Sequence, residues 1–320
     1  MSASGGNKAI LAALAANLGI AIAKFIGWLV SGSSSMLAES VHSLADTSNQ
    51  GLLLLGGRKA KKLADAEHPF GYGRERYVYA FVVSIILFSI GGVFSLYEGI
   101  EKLTHPHELE NAYIPIIILV IAIGLETFSF RTAIVESNHV RDTQGWIEFI
   151  RRSKAPELPV VLLEDFAALI GLILALAGVG LTVITGNPVF DAIGTICIGV
   201  LLVLVAIVLG IETKSLLVGE GASVEDTEKI RDAINAQPQV ESLIHMKTLY
   251  LGPDELLVAA KVAFGRTKKL AEVAASINEL EVAIRETVPA ARVIYIEPDV
   301  FTTPNEANPA TDVFVIKGAD

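Results

Sequence analysis

The sequence of 320 residues is poor in cysteine and in charge. Its single cysteine, Cys197, lies within an apolar run, so one chain can form neither a disulfide framework nor a cysteine-based zinc site. Charged residues make up 19% of the sequence, against about 25% in soluble domains. Because 52% of the residues are hydrophobic, this balance indicates a membrane protein.

Several motifs that would indicate other functions are also missing. The zinc-protease motif HExxH does not occur, and the serines of Gly32-Ser-Ser-Ser35 fall in a short turn between apolar runs, which argues against an intramembrane hydrolase. The N-terminus has no basic stretch before a cleavage site, so we expect no cleaved signal peptide. From Gly219 onward, 17 acidic and 10 basic residues disfavour nucleic acid as a partner.

Six apolar stretches are each long enough to cross a bilayer, which takes about 20 residues. They cover approximately 8–30, 36–56, 77–101, 113–135, 159–184 and 189–214. The first is rich in alanine and glycine, the small residues that let membrane helices approach closely. Asn17 within it is better suited to an interhelical hydrogen bond than to metal ligation.

Basic residues concentrate in the connections after the second and fourth stretches. The other three connections contain only Lys102. The positive-inside rule therefore predicts that these two connections and both termini are cytoplasmic, and we favour a bacterial inner membrane as the location. The connection 136–158 contains the amphipathic segment Gly145–Arg152, which we expect at the membrane interface.

The pattern after Gly219 is that of a soluble domain. It predicts helices over 223–235 and 268–287 and strands over 240–251, 255–264 and 291–297, in the order αββαβ. Such an order is typical of a small two-layer α/β domain. We therefore expect a six-helix transmembrane domain over 1–215, a cytoplasmic αββαβ domain over 216–300 and a flexible tail over 301–320.

His42 and Asp46 lie four residues apart in the second apolar stretch. On a helix this spacing puts both side chains on one face, where an imidazole and a carboxylate can bind a divalent transition metal. A lone membrane histidine is more often a packed hydrogen-bonding group. The acidic pair Glu164–Asp165 in the fifth stretch instead favours a metal or proton site.

Other acidic residues in the apolar stretches have plainer interpretations. Glu39 can share a face with His42, but it lies near the start of the second stretch. A role at the start of the helix is therefore as plausible as membership of the site. Glu98, Glu126 and Glu212 are isolated or close to span ends, which favours a structural or interfacial role. Asp191 follows Asn-Pro, which favours a helix cap.

Four stretches together resemble the cation diffusion facilitator family. They are Ser31–Gly32–Ser33 with 37–46, His68-Pro-Phe-Gly-Tyr-Gly73, Asp165, and Pro188-Val-Phe-Asp191. The resemblance covers about residues 8–298. It implies six membrane helices, a cytoplasmic αββαβ domain like a metallochaperone, a homodimer, and export of a divalent cation, usually zinc, in exchange for protons by alternating access.

The family's transport site takes two ligands from the second helix, which correspond to His42 and Asp46, and two from the fifth. The aspartate of the fifth helix corresponds to Asp165, but the expected histidine is replaced by Val161. Glu164 is adjacent to Asp165 and is expected to be a ligand or a proton carrier. This tandem Glu-Asp is similar to a branch of the family that includes the mitochondrial zinc transporter of animals.

The family's other metal sites are incomplete in this sequence. A loop site would involve Asp65 and His68, but Tyr72 stands where a second histidine is expected, so the site is weakened. In the soluble domain His245 matches one histidine, whereas Tyr295 replaces another and Glu297 follows. We therefore expect this domain to dimerise without a full zinc cluster.

The resemblance implies a transporter and not an enzyme, with zinc as cargo and no cofactor. One nitrogen among oxygen ligands makes the preference for zinc soft, so iron(II), manganese, cobalt and cadmium stay open. A membrane-tethered metal sensor is a second hypothesis, which one histidine and no cysteine in the soluble domain disfavour.

Overall fold

The computed structural model describes the backbone of residues 3–106, 109, 111, 113–141 and 143–301, with side chains from residue 17 onward. The chain divides into two units, Met1–Val218 and Gly219–Asp320. All but the first residue of the tail predicted over 301–320 lies outside the described residues.

Helices are the regular secondary structure of the first unit in the described ranges. Its elements are α1 (Ala3–Ser31), α2 (Ser34–Lys59), α3 (Glu75–Ile86), a π-helical segment (Leu87–Val93), α4 (Phe94–Thr104), α5 (Tyr113–Arg141), α6 (Trp146–Arg152), α7 (Glu157–Thr185) and α8 (Val189–Val218). The π-helical segment joins α3 and α4 into one continuous helix. A core of aliphatic side chains, among them Leu119, Leu172, Ile198 and Leu202, holds these helices together.

Four helices of the described part are long and apolar enough to cross a membrane. They are Glu75–Thr104, Tyr113–Arg141, Glu157–Thr185 and Val189–Val218, and the shorter apolar helix Asn17–Ser31 lies within α1. This confirms a transmembrane domain. The helix α2 is not among the four because the polar residues from Glu39 to Gln50 lower its hydropathy.

Local sequence explains where two of the helices begin or end. Gly32 has a φ of 65°, which separates α1 from α2, and the Ser33 hydroxyl accepts a hydrogen bond from the backbone N–H of Met36. Gly186 ends α7 in the left-handed region with a φ of 69°. The helix α5 is longer than the fourth predicted apolar stretch, because it continues to Arg141. The connection that contains α6 is therefore shorter than predicted.

The second unit contains α9 (Val224–Asn235), β1 (Val240–Gly252), β2 (Glu255–Phe264), α10 (Leu270–Thr287) and β3 (Ala291–Asp299). The strands form a sheet of order β1-β2-β3, in which β2 pairs antiparallel with β1 and parallel with β3. Ile230, Ile234, Leu280 and Ile284 of the two helices are fully buried against the strands. The elements follow the predicted order, with β3 two residues longer than predicted.

Candidate metal centre

His42 and Asp46 lie on the same face of α2, one turn apart, as their spacing predicts. The distance between His42 Nε2 and Asp46 Oδ2 is 3.4 Å. The His42 side chain is 1% exposed and that of Asp46 is 16% exposed. The pair is thus held inside the helix bundle.

Three of the four nitrogen and oxygen atoms in these two side chains have no hydrogen bond within the described residues. Both ring nitrogens of His42 and Oδ1 of Asp46 are buried without a donor or acceptor. Buried polar atoms in proteins are almost always hydrogen-bonded, so exceptions call for an explanation. Coordination of a metal ion would satisfy one of the two imidazole nitrogens and a carboxylate oxygen.

Glu164 and Asp165 of α7 lie near this pair and are held by hydrogen-bond donors from two other helices. The side-chain amide of Asn49 donates to Glu164 Oε1 at 2.7 Å, and the Ser129 hydroxyl donates to Asp165 Oδ2 at 2.8 Å. Both carboxylates are within electrostatic range of Asp46. Each donor fixes one oxygen of its carboxylate and leaves the other available to a cation.

The four predicted ligands do not form a closed cage. Within the described ranges, no three histidine, cysteine, aspartate or glutamate side chains are gathered tightly enough to enclose a metal ion. The structure therefore brings His42 and Asp46 together and places the two acidic residues of α7 nearby.

Glu126 belongs to the same electrostatic cluster, although its isolation in the sequence favoured a structural role. It lies on α5 within range of Lys24, Glu39 and Asp165, and its charge acts on Asp46. A carboxylate in the interior of a membrane domain is costly and usually functional. The signal that could have identified Glu126 is its position in the middle of an apolar helix.

Lys24 of α1 is the cationic member of the cluster and was not singled out from the sequence. Its ammonium forms a 3.0 Å ion pair with Glu39 Oε2 and donates to the Ser43 hydroxyl at 2.7 Å. The Lys24 and Glu39 side chains are both 0% exposed. Glu39 is therefore buried, and the expectation that it lies near the open end of the second span was wrong. A lysine deep within the apolar part of α1 was the missed signal, because membrane charges usually pair.

The π-helical segment Leu87–Val93 passes beside His42. A Cβ atom built on Gly91 would lie 3.9 Å from His42 Nδ1. Such segments are rare and frequently occur at functional sites. Here a glycine brings the backbone of this segment close to the imidazole ring.

Two polar residues whose roles the sequence left open have structural roles. Asp191, in the first turn of α8, accepts hydrogen bonds from the Ser33 hydroxyl and from the backbone N–H and hydroxyl of Ser34. It therefore caps a helix, but the helix is α2 and not its own.

Asn17 donates to the Gln50 side chain at 3.2 Å, which is the interhelical bond that was favoured for it.

The cation efflux transmembrane domain matches residues 10–218 of the chain. The chain belongs to the cation diffusion facilitator family.

Several relatives of known name are similar over most of this chain. The mouse mitochondrial protein named proton-coupled zinc antiporter SLC30A9 is 33% identical over 262 residues, which are 81% of this chain and 46% of the relative. Metal tolerance protein C4 of Arabidopsis thaliana is 30% identical over 80% of this chain and 57% of its own length. The cation-efflux pump FieF of Klebsiella pneumoniae is 25% identical over 78% and 79%. The chain thus spans about half the length of the first two.

In the loop site implied by the family resemblance, a lysine contacts the predicted ligand Asp65. The Tyr72 hydroxyl donates to Asp65 Oδ2 at 2.6 Å, and the Lys62 ammonium lies 3.1 Å from the same oxygen. His68 Nδ1 is 3.5 Å from Asp65 Oδ1. The Tyr72 hydroxyl, the backbone N–H of His68 and Lys62 together lower the pKa of Asp65 far below its ordinary value.

The soluble unit also has a lysine in the region where the family resemblance implies a metal cluster. His245 of β1, Lys261 of β2 and Glu297 of β3 are neighbours in register across the sheet. The Lys261 ammonium is 3.0 Å from Glu297 and 3.0 Å from Asp299, and the two carboxylates raise the pKa of Lys261. An ammonium group at this position satisfies the carboxylates that a metal ion would otherwise bind.

Proposed function

We propose that this protein is a secondary transporter that exports a divalent cation, with zinc as the preferred ion, from the cytoplasm in exchange for protons. Membership of the cation diffusion facilitator family supports this proposal, since relatives carry the names proton-coupled zinc antiporter and cation-efflux pump. It rests chiefly on the geometry of His42 and Asp46.

The separation of 3.4 Å between His42 Nε2 and Asp46 Oδ2 suits two ligands of one zinc ion. Zinc binds nitrogen and oxygen ligands at about 2.0–2.2 Å with tetrahedral geometry, so two such ligands lie about 3.4 Å apart. The same distance is too long for an ordinary hydrogen bond, for which about 2.7–3.2 Å is usual. These atoms are therefore better placed to share a cation than to bind each other.

Asp165 is proposed as the third ligand and Glu164 as the fourth ligand or as a proton carrier. Asn49 and Ser129, which hydrogen-bond these carboxylates, would orient them in the way that outer partners orient metal ligands. A site with one nitrogen and several oxygens suits zinc but also accepts iron(II), manganese, cobalt or cadmium.

Exchange with protons follows from the chemistry of the ligands. Zinc binds neutral imidazole and ionised carboxylates, so loading of the metal displaces protons from these groups. Protonation of the same groups from the opposite side lowers their affinity for the metal and releases it. His42 and Asp46, which share no hydrogen bond, can each take part in this exchange.

We propose that the protein crosses the membrane six times, with both termini in the cytoplasm. The helices α1 and α2 would join the four apolar ones, because their 29 and 26 residues exceed the length that a span needs. The basic connections after α2 and α5 support the orientation. The inner membrane of a bacterium is our proposed location.

The second unit is proposed to mediate formation of a homodimer and not to sense metal. Lys261 lies where carboxylates and His245 would otherwise be available to a cation, which argues against a metal cluster. We therefore retain its assignment as a cytoplasmic dimerisation domain over 216–300.

Transport by the purified full chain in proteoliposomes tests the proposal. Vesicles with an acidic interior should take up zinc while the proton gradient lasts, and His42→Ala should abolish this uptake. The control Ser40→Ala removes a buried hydroxyl that, among the described residues, bonds to the backbone of its own helix. Competition with iron(II), manganese, cobalt and cadmium ranks the metals, and uptake that ignores the pH gradient would disprove proton exchange.

A further inference from the structure

The buried ion pair of Lys24 and Glu39 lies beside the metal centre without belonging to its ligand set. Lys24 extends from α1 to α2, where its ammonium contacts Glu39 at 3.0 Å and Ser43 at 2.7 Å. Glu39 precedes His42 by three residues and so shares its face of the helix. A charge at 0% exposure in a membrane domain is costly even when it is paired, and such residues usually mark functional sites.

The second oxygen of Glu39 connects the pair to α7. Glu39 Oε1 has no hydrogen bond among the described residues, and a Cβ atom built on Gly171 would lie 2.6 Å from it. Gly171 follows Glu164 by seven residues, which is about two turns, on the same face of α7. The pair therefore continues the two helix faces that carry the proposed ligands.

The charge of Lys24 acts on the two proposed ligands of α2 and on one further acid of the cluster. It lies within electrostatic range of His42 and Asp46 on α2 and of Glu126 on α5. A fixed positive charge opposes the binding of a divalent cation nearby, and this effect is stronger in the low dielectric of a protein interior than in water. The carboxylate of Glu39 offsets that charge at close range.

We propose that the ion pair of Lys24 and Glu39 sets the affinity of the His42–Asp46 centre for its divalent cation. Both are positioning residues that act through the field they create, and neither is a ligand. Lys24 lowers the affinity, so that the ion can be released, and Glu39 limits the reduction. This inference rests on the proposed function, because it presumes that the centre binds a divalent cation.

The signs of the effects of three variants distinguish this role from that of a structural clasp. Glu39→Gln keeps an acceptor for the Lys24 ammonium but removes the compensating charge, so zinc binding should weaken by about tenfold or more. The double variant Lys24→Met with Glu39→Gln removes both charges, and its affinity should return close to that of the wild type. Lys24→Met alone should bind zinc no more weakly than the wild type.

Zinc titration calorimetry on the purified full-length protein in detergent measures these affinities. Lys102→Met is the matched control, since Lys102 is also buried but donates to the backbone carbonyl of Gly32, and its affinity should not change. A clasp would make the double variant at least as weak as Glu39→Gln, and that result would overturn the inference. So would wild-type affinity in Glu39→Gln, or weakened binding in folded Lys24→Met. If the wild type itself binds no divalent cation, the proposed function fails instead.

Discussion

The side-chain amide of Asn49 donates to Glu164 Oε1 at 2.7 Å and so links α2 to α7 one turn from Asp46. This bond joins the two helices that carry the proposed ligands. It also gives Glu164 a defined orientation, although the position of this residue next to Asp165 left its role open. Whether Glu164 binds the metal can therefore be tested through Asn49.

We expect Asn49→Ala to weaken zinc binding about tenfold, the usual lower limit for loss of a partner that orients a ligand. Calorimetric titration of the purified protein with zinc measures this change. The control Ser48→Ala removes an exposed hydroxyl that bonds to the backbone of the same helix, and its affinity should match the wild type. Unchanged affinity together with a changed pH dependence of transport would make Glu164 a proton carrier.

Asp191 is predicted to stabilise the start of α2 without contributing to metal binding. Two carboxylate oxygens of Asp191 accept hydrogen bonds from Ser33 and Ser34, and Asp191→Asn keeps only one oxygen. This loss should lower the free energy of unfolding by about 1–2 kcal/mol. Thermal unfolding in detergent measures the loss. A large drop in zinc affinity at unchanged unfolding temperature would instead make Asp191 part of the metal centre.

Close packing of α4 against α8 depends on Gly199. A Cβ atom at this position would lie 2.8 Å from the backbone nitrogen of Leu96, so Gly199→Ala should reduce stability by about 1–3 kcal/mol. Gly180 of α7 is the control, because a Cβ atom there meets nothing within 4 Å. Equal unfolding temperatures for the two alanine variants would contradict the packing described for α4 and α8.

The Asp65 loop should show an acid dependence that is set mainly by Tyr72. The pKa of Asp65 is lowered in the folded protein, so the carboxylate stabilises the loop above its ordinary pKa and this contribution is lost as the pH falls through the lowered value. Tyr72→Phe removes the largest cause and should raise the pKa of Asp65 towards its ordinary value. Stabilisation should then be lost at a higher pH.

Carbon NMR of aspartate-labelled protein measures this pKa, with the signal assigned by its loss in Asp65→Asn. Tyr97→Phe, which alters an exposed tyrosine elsewhere, should leave the titration unchanged. If the Asp65 signal in Tyr72→Phe titrates as in the wild type, the hydroxyl does not control this carboxylate.

Features that depend on short-range periodicity could be predicted from the sequence. The i,i+4 pair of His42 and Asp46 and the hairpin between β1 and β2 follow from neighbouring residues. Asn17 was interpreted correctly because a polar group among small residues in a membrane helix needs a partner on another helix.

Contacts between distant helices could not be predicted in the same way. The clustering of Glu126 with Lys24 and Asp165 depends on how α1, α5 and α7 pack, which the sequence of each helix does not determine. Asp191 shows the same limit: its type and position indicated a cap, but only the packing shows that the capped helix is α2.

Simultaneous measurement of zinc and proton fluxes in proteoliposomes, for the wild type and for Asp46→Ala, tests the central claim most directly. The wild type should take up zinc as protons leave the vesicles, and the flux of each should depend on the other. Asp46→Ala should lose both fluxes together, because we propose that the same carboxylate binds the metal and exchanges the proton. Coupled exchange by Asp46→Ala at the wild-type rate would contradict the assignment of the transport site.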